Sequence, residues 1–250
     1  MEERGLFKNS QIVVLGFCIA VATIVSTLIL SQVVMKAMRF SKEVINVTGA
    51  AEKNITSDYM VWTLKFSKRD PKMTDAFNLL KVDLQAVKEY LLSKGIKEEE
   101  MTASQIRTET LFKKNEKGND TNEIEAYLLT QGIEVKSLDI QKVTEVSREA
   151  TELINKGIEL VSDAPQYFYT KLAELKIEML REATKDAKRR AEEIAASSGN
   201  KIGAIRSAKM GVFQITPVNS YDVSDWGTND TSSLEKKVNS VVKAEFAITA

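Results

Sequence analysis

Hydrophobic residues alternate with polar ones in some segments of the chain and recur at helical spacing in others. In residues 59–67, large hydrophobic side chains occupy every second position, namely Met60, Trp62, Leu64 and Phe66. This period of two predicts a strand with one buried face. Between residues 73 and 94 the spacing changes to that of one face of a helix, and Gly95 marks the end of that helix. The hydrophobic residues on this face are Met73, Phe77, Leu80, Leu84, Val87 and Leu91. The spacing also fits a short coiled coil, but a helix packed on a sheet explains it equally well.

The same two periods, alternation for strands and helical spacing for helices, predict the other elements. Further strands are predicted at 44–50, 101–112, 123–136, 158–163, 201–213 and 237–249. A second helix begins after Asp139, because aspartate caps helix N-termini. The longest helix covers 171–198 and ends at Gly199, and its inner face narrows from leucine to alanine, which allows close packing on a neighbouring element. The polar segments 113–122 and 216–236 are predicted as loops.

The resulting order, β-β-α-β-β-α-β-α-β-β, predicts an α+β fold with helices packed on an antiparallel or mixed sheet. Residues 59–112 and 123–163 are two successive β-α-β blocks, which hint at an internal repeat without establishing one. Residues 44–250 are long enough for one large domain or for two closely packed subdomains.

The N-terminal region has a different pattern. No charged residue lies between Lys8 and Lys36. As a helix, residues 12–34 span about 34 Å at about 1.5 Å per residue, enough to cross a hydrocarbon core of about 30 Å. The chain is therefore predicted to have a short tail (1–10), a transmembrane anchor (11–35) that contacts lipid through residues 12–34, a juxtamembrane linker (36–43) and a folded domain (44–250).

Two questions about this segment stay open. A cleaved signal peptide has a shorter apolar region, of about 7–15 residues, and ends at a small-x-small site, so the length favours a retained anchor. The basic residues Lys36, Arg39 and Lys42 follow the span, and the positive-inside rule by itself would place the folded domain in the cytoplasm.

Composition excludes much catalytic chemistry. The chain has no histidine and one cysteine, Cys18, so Ser-His-Asp triads, Cys-His dyads and histidine-ligated zinc are impossible. Its 35 basic and 35 acidic residues cancel, whereas nucleic-acid binders carry a basic excess. We expect no enzymatic activity, no catalytic residue, no metal, no cofactor and no nucleic-acid partner. A hydrolase is a distant alternative, because its site is not recognisable.

Four short motifs are candidates for chemistry, and each has a structural explanation as well. Glu98–Glu100 is best explained as a solvated turn, and Lys188–Arg190 as basic residues that pair within their own helix. The aromatic residues Tyr167–Tyr169 favour a core or subunit contact over a ligand platform. Residues 199–203 follow a helix, whereas phosphate loops precede one.

Three successive motifs resemble the SIMPL-domain family of exported bacterial proteins. The first strands carry the family's opening pattern at Val44, Val47, Gly49 and Asp58, with Ser57 where the family usually has proline. Residues 91–101 match its L-x-x-x-G-I turn. The long helix and the start of the strand after it, residues 175–205, match the family's alanine-rich run at Ala183, Ala187, Ala191, Ala195, Gly199 and Gly203, together with Asp186 and Arg190. The match covers residues 44–250.

The resemblance implies export, so residues 41–250 are expected outside the inner (cytoplasmic) membrane, in the periplasm or at the cell exterior. It also implies a large ring-like or channel-like homo-oligomer, with a possible link to envelope stress, and it supplies no established catalytic residue. The alternative is an extracytoplasmic module that binds a ligand of unknown chemistry or an unfolded client. For assembly we expect 237–249 to be an edge strand that contacts a second subunit through Val242 and Phe246.

Overall fold

The computed structural model describes the backbone of residues 3–220, 222 and 224–249, and the side chains of residues 12–35, 43–220, 222 and 224–249. Within these residues the helices are α1 (Glu3–Lys42), α2 (Met73–Ser93), α3 (Ile140–Glu149) and α4 (Leu172–Ser197). The strands are β1 (Val44–Thr56), β2 (Tyr59–Asp70), β3 (Met101–Ala103), β4 (Arg107–Lys114), β5 (Asp120–Ser137), β6 (Glu159–Ser162), β7 (Gln166–Phe168), β8 (Lys201–Met210), β9 (Gln214–Pro217), β10 (Thr228–Asn229) and β11 (Glu235–Thr249).

The predicted α+β fold is confirmed, and the observed order adds short strands and two 3-10 helices, Glu98–Glu100 and Ala150–Lys156, to the predicted one. Two of these strands, β9 and β10, pair with each other in parallel, and β10 lies within the segment predicted as a loop at 216–236. Residues 221 and 223 of that predicted loop lie outside the described residues. The side chains of the predicted tail (1–10) and of nearly all of the predicted linker (36–43) also lie outside them.

Helix α1 contains the predicted span. Residues Ile12–Met35 form a stretch of 24 residues that is long and apolar enough to cross a membrane, as a single-pass anchor or as a signal sequence. The hydroxyl of Thr27 donates a hydrogen bond of 2.7 Å to the carbonyl of Thr23, so this polar side chain is satisfied inside the helix.

The chain divides into two compact units. Unit 1 consists of residues 1–51, 180–211 and 241–250, and unit 2 of residues 52–179 and 212–240. Strands β1 and β11 and helix α4 each contribute residues to both units.

A six-stranded sheet supports unit 2. Strand β2 pairs antiparallel with β5 and also with β6 and β7, while β3 and β4 pair with β5. The alternation predicted for β2 is confirmed, because Met60, Trp62, Leu64 and Phe66 are all buried in one core. The side chains of α2 and α3 complete that core. Asp139 caps α3 as predicted, since its carboxylate accepts a 3.1 Å hydrogen bond from the backbone N–H of Lys142.

The predicted inner face of α2 is correct in its centre and wrong at its start. Leu80 is fully buried, but Met73 and Phe77 are each 45% exposed. The buried stripe begins at Ala76, and Phe77, one residue later, is rotated from it by about 100° around the helix axis.

In unit 1, α4 packs on one face of a sheet formed by β1, β8 and β11. Val47 from β1 and Val242, Ala244 and Phe246 from β11 form a core with three alanines of α4. Strand β11 pairs with β1 and, antiparallel, with β8. This small helix-on-sheet layer contains most of the residues that resemble the family motif.

Candidate functional site

The contact between β1 and α4 in unit 1 depends on a glycine. A Cβ atom built on Gly49 would lie 2.2 Å from the carbonyl oxygen of Ala183. Real Cβ atoms do not approach backbone atoms so closely, so the helix reaches the strand only because residue 49 lacks a side chain. Ala183 and Ala187 are fully buried at this contact, as the narrowing helix face predicted.

Asp186 connects the same strand and helix by hydrogen bonds. Its carboxylate accepts the backbone N–H of Ala50 at 3.0 Å, and the guanidinium groups of Arg189 and Arg190 each lie 2.7 Å away. The N–H of Ala50, followed by the two arginines, lowers the pKa of Asp186 to about 2. Asp186 is therefore a carboxylate at any physiological pH.

A groove of about 720 Å³ runs beside this contact. It is lined by Asn46, Val47, Thr48, Arg189, Arg190, Glu193 and Ile194. The pairing predicted for the basic cluster within α4 is confirmed, since both arginines bind Asp186 and Lys188 lies 3.7 Å from Glu192. The basic residues of this groove are thus balanced by carboxylates of their own helix.

A second, smaller cleft of about 280 Å³ lies on the sheet of unit 1. It is lined by Asn46, Val47, Thr48, Ser207, Lys209, Lys243, Ala244 and Glu245. Side chains of successive strand residues point to opposite faces. Lys243 therefore lies on the face opposite α4, because its neighbours Val242 and Ala244 pack against the helix.

Val242 and Phe246 are placed inside the chain's own core. They are 1% and 5% exposed, and both contact the core that includes the alanines of α4. The expectation that 237–249 is an edge strand is wrong, because β11 is hydrogen-bonded to β1 as well as to β8 and β9. These two side chains are occupied by packing within one chain, which favours a different surface for any contact with a second subunit.

The acidic motif Glu98–Glu100 of unit 2 forms a turn held by hydrogen bonds. Residues Glu98–Glu100 form a short 3-10 turn, as expected for a solvated turn, and Glu100 accepts hydrogen bonds from the backbone N–H of Lys97 and the hydroxyl of Ser137. In the described part of the chain, no group of three or more Cys, Asp or Glu side chains is arranged to hold a metal ion.

The aromatic residues Tyr167–Tyr169 are all half-buried. Tyr167 packs against the core of unit 2, and the ring of Phe168 lies 6.4 Å from that of Tyr59. Close by, Asp58 accepts hydrogen bonds of 2.7 Å from the backbone N–H and from the hydroxyl of Thr170. Asp58 thus joins the start of β2 to the turn before α4.

Sequence patterns did not predict the role of Lys236. Its side chain is buried, and its ammonium donates hydrogen bonds to the carbonyls of Tyr167, at 2.6 Å, and Asp230. Burial lowers the pKa of Lys236 from that of a solvated lysine. No periodicity identifies such a residue, since a lysine in a strand is normally exposed.

Unit 2 also has an apolar groove of about 490 Å³. It is lined by Met73, Thr74, Phe77, Asn78, Ile106, Thr108 and Leu129. Met73 and Phe77, which the sequence predicted as core, are the exposed side chains that form one wall of this groove.

A protein-family profile described as "SIMPL: Protein of unknown function (DUF541)" matches residues 45–246. No curated protein matches the chain. Among solved structures, the ligand-free regulatory subunit of aspartate kinase from Thermus thermophilus is similar, with 12% identity over 78% of this chain and 87% of that chain. Its TM-score of 0.19 is too low for an argument about fold or function.

Proposed function

The chain belongs to the SIMPL family, and from that premise we propose that it is a non-enzymatic, membrane-anchored protein whose folded units assemble into a large homo-oligomer. In this proposal α1 holds each copy in the inner membrane, and residues 41–250 face the periplasm or the cell exterior. The apolar stretch Ile12–Met35 supports the anchor. Large downstream domains are translocated largely regardless of flanking charge, so the basic residues after the span do not contradict this orientation.

The exposed strand β8 is the observation that carries the assembly proposal. Among the described strands it pairs only with β11, which leaves its other edge unpaired. Ile205 and Met210 of this strand are 47% and 53% exposed. An open edge with exposed apolar side chains is a template for pairing with a second chain. Strand β8 therefore replaces Val242 and Phe246 as the proposed subunit contact.

Light scattering of the full chain in a neutral detergent tests this proposal. We expect a large and uniform particle for the wild-type protein, and a smaller molar mass for the variant Ile205→Lys. The matched control is Ile177→Lys, because Ile177 is also an exposed isoleucine, at 64%, but lies on α4 in unit 2. A monomeric wild-type protein would reject the assembly proposal, and an Ile205→Lys variant with unchanged mass would reject β8 as the contact.

A link of this assembly to envelope stress is proposed from family membership alone. Deleting the gene in its host and measuring survival in detergent and oxidant would test it. Survival that does not differ from the parent strain under either condition would reject the link.

The apolar groove of unit 2 favours a second candidate function, the binding of a small apolar molecule. Ligand sites are concave and mostly apolar with a few polar groups, and here Thr74, Asn78 and Thr108 supply the polar groups. A fragment screen by saturation-transfer NMR on the full chain tests this function, with Phe77→Ser as the comparison. A fragment that binds the wild-type protein and the Phe77→Ser variant equally does not occupy the groove. If no fragment in the library binds the variant more weakly than the wild type, this function is rejected.

A further inference from the structure

Two lysines face each other across strands β8 and β11. Lys209 and Lys243 are direct cross-strand partners in this antiparallel pair, so their side chains share one face of the sheet. Like charges placed directly opposite destabilise a strand pair. Within the described part of the chain, no hydrogen bond or ion pair engages either ammonium group. The positive charge of this pair is therefore available to an anion from outside the chain.

The surrounding side chains have the donor chemistry that such an anion requires. The cleft contains the amide of Asn46 and the hydroxyls of Thr48 and Ser207 beside the two lysines. Ammonium, amide and hydroxyl groups are the donors that bind phosphate oxygens. The volume of about 280 Å³ accommodates a group of phosphate size.

Charge is distributed unevenly around the cleft, although the whole chain has 35 basic and 35 acidic residues. Strand β8 contains three basic residues and no acidic one, and residues 44–51 of β1 carry no charge. Glu245, opposite Ser207, is the acidic residue of the lining. It reduces the positive charge of the pair without cancelling it, and it repels an anion.

The cleft also lies close along the chain to the proposed anchor. Asn46 follows Met35, the last residue of the apolar stretch, by eleven residues: seven continue α1, about 10 Å at about 1.5 Å per residue, and four are extended chain, about 13 Å at about 3.3 Å per residue. If α1 spans a membrane, the cleft therefore lies within about 24 Å of the end of the apolar stretch, on the side of the headgroups.

We propose that the cleft between β1, β11 and β8 binds a phosphate-bearing anion through Lys209 and Lys243. The phosphate belongs either to an anionic phospholipid headgroup or to a soluble phosphate compound. The lipid source rests on the proposed membrane anchor, whereas the soluble source does not.

Full-length protein in a neutral detergent tests both sources. Tripolyphosphate is titrated by calorimetry at low salt, and an equimolar mixture of phosphatidylglycerol and phosphatidylcholine is offered in native mass spectrometry. The double variant Lys209→Gln/Lys243→Gln is expected to raise the Kd for tripolyphosphate at least tenfold, or to abolish the preference for phosphatidylglycerol. Lys188→Gln, which removes the same charge from the helix of unit 1, is expected to change either readout less than twofold.

The two readouts distinguish a lipid headgroup from a soluble phosphate compound. They also distinguish failure of this proposal from failure of the proposed function. Loss of tripolyphosphate binding indicates a soluble anion, and loss of lipid preference alone indicates a headgroup. A wild-type protein that shows neither response, or a double variant that behaves like wild type, overturns the proposal. Failure of the anchor or of the assembly is seen separately, by membrane extraction and by molar mass.

A third variant keeps the test valid if the double variant is unstable. Glu245→Gln removes the acidic residue of the lining and is expected to lower the Kd for tripolyphosphate, or to increase the preference for phosphatidylglycerol, severalfold. Unchanged or weaker binding by this variant in both readouts would overturn the assignment of the anion to this cleft.

Discussion

A methyl group on Gly49 would lie 2.3 Å from the backbone nitrogen of Ala187. Backbone atoms of a helix cannot shift as the end of a flexible side chain can, so this contact fixes the residue type at position 49. The alanines of α4 and the glycine of β1 are thus two halves of one packing arrangement.

Gly49→Ala is expected to destabilise the protein by about 3 kcal/mol or more, because the added methyl group separates α4 from β1. The drop in thermal midpoint, followed by circular dichroism, measures this effect. Gly118→Ala is the control, because Gly118 has open space around it and a positive φ of 79°. Gly118→Ala should lower the free energy of unfolding by only about 1–2 kcal/mol, which is the cost of a left-handed backbone conformation for a residue with a side chain. Equal losses in both variants would mean that the close contact is not decisive.

Asp186→Asn is expected to change how stability depends on pH. The folded-state pKa of about 2 lies below the ordinary value of 3.8, so the charged carboxylate stabilises the fold above the ordinary pKa. This contribution decreases as the pH falls from about 5 and is lost below the folded-state pKa. Urea unfolding between pH 6 and pH 2 should therefore show a difference between wild type and variant that shrinks with acid. Asp120→Asn, the same substitution at an exposed aspartate of the hairpin, is the matched control.

Lys236→Met is expected to cost about 1–3 kcal/mol, because the carbonyls of Tyr167 and Asp230 lose their donor while they stay partly buried. Removal of a buried charge acts in the opposite direction. We expect the unsatisfied carbonyls to dominate, since one ammonium serves both of them. The midpoint of thermal unfolding shows which of these two effects is larger. Lys171→Met is the control, because Lys171 is exposed. A higher midpoint for Lys236→Met would show that the burial of the charge costs more than the two hydrogen bonds contribute.

The periods of hydrophobic residues predicted the elements well because burial on one face is a local property of a strand or helix. Strand β2 alternates and is buried as predicted, and Asp139 caps α3. The hydrophobic period of a segment does not predict the order of strands in a sheet, because that order depends on contacts between residues that are distant in sequence. Strand β11 is the last along the chain but lies between others, so it was wrongly predicted to be an edge.

The same limit explains what was missed at the site. Asp186 was part of a recognised motif, but its bond to the N–H of Ala50 joins residues 136 positions apart and has no local pattern. The pair of Lys209 and Lys243 is likewise created by strand register. The first relationship depends on how α4 packs on β1, and the second on the register of β8 with β11.

Val242→Lys and Phe246→Lys are expected to unfold unit 1 rather than only to dissociate subunits. Each would place an ammonium group in a core where the native side chain is at most 5% exposed, and an unpaired buried charge costs several kcal/mol. Circular dichroism together with molar mass distinguishes the two results. Folded but dissociated variants would restore these residues as subunit contacts.

Leu80→Ala and Phe77→Ala compare two residues that the sequence placed on one helix face. Leu80 is fully buried in the core of unit 2, so its truncation is expected to cost about 2–5 kcal/mol. Phe77 is 45% exposed in the wall of the apolar groove, and because its ring already contacts water, its truncation should cost much less than that of Leu80. Urea unfolding of both variants measures the difference. A loss for Phe77→Ala as large as that for Leu80→Ala would mean that the ring is covered in solution, as by a second copy or a bound molecule, and would direct the search for a ligand to this groove.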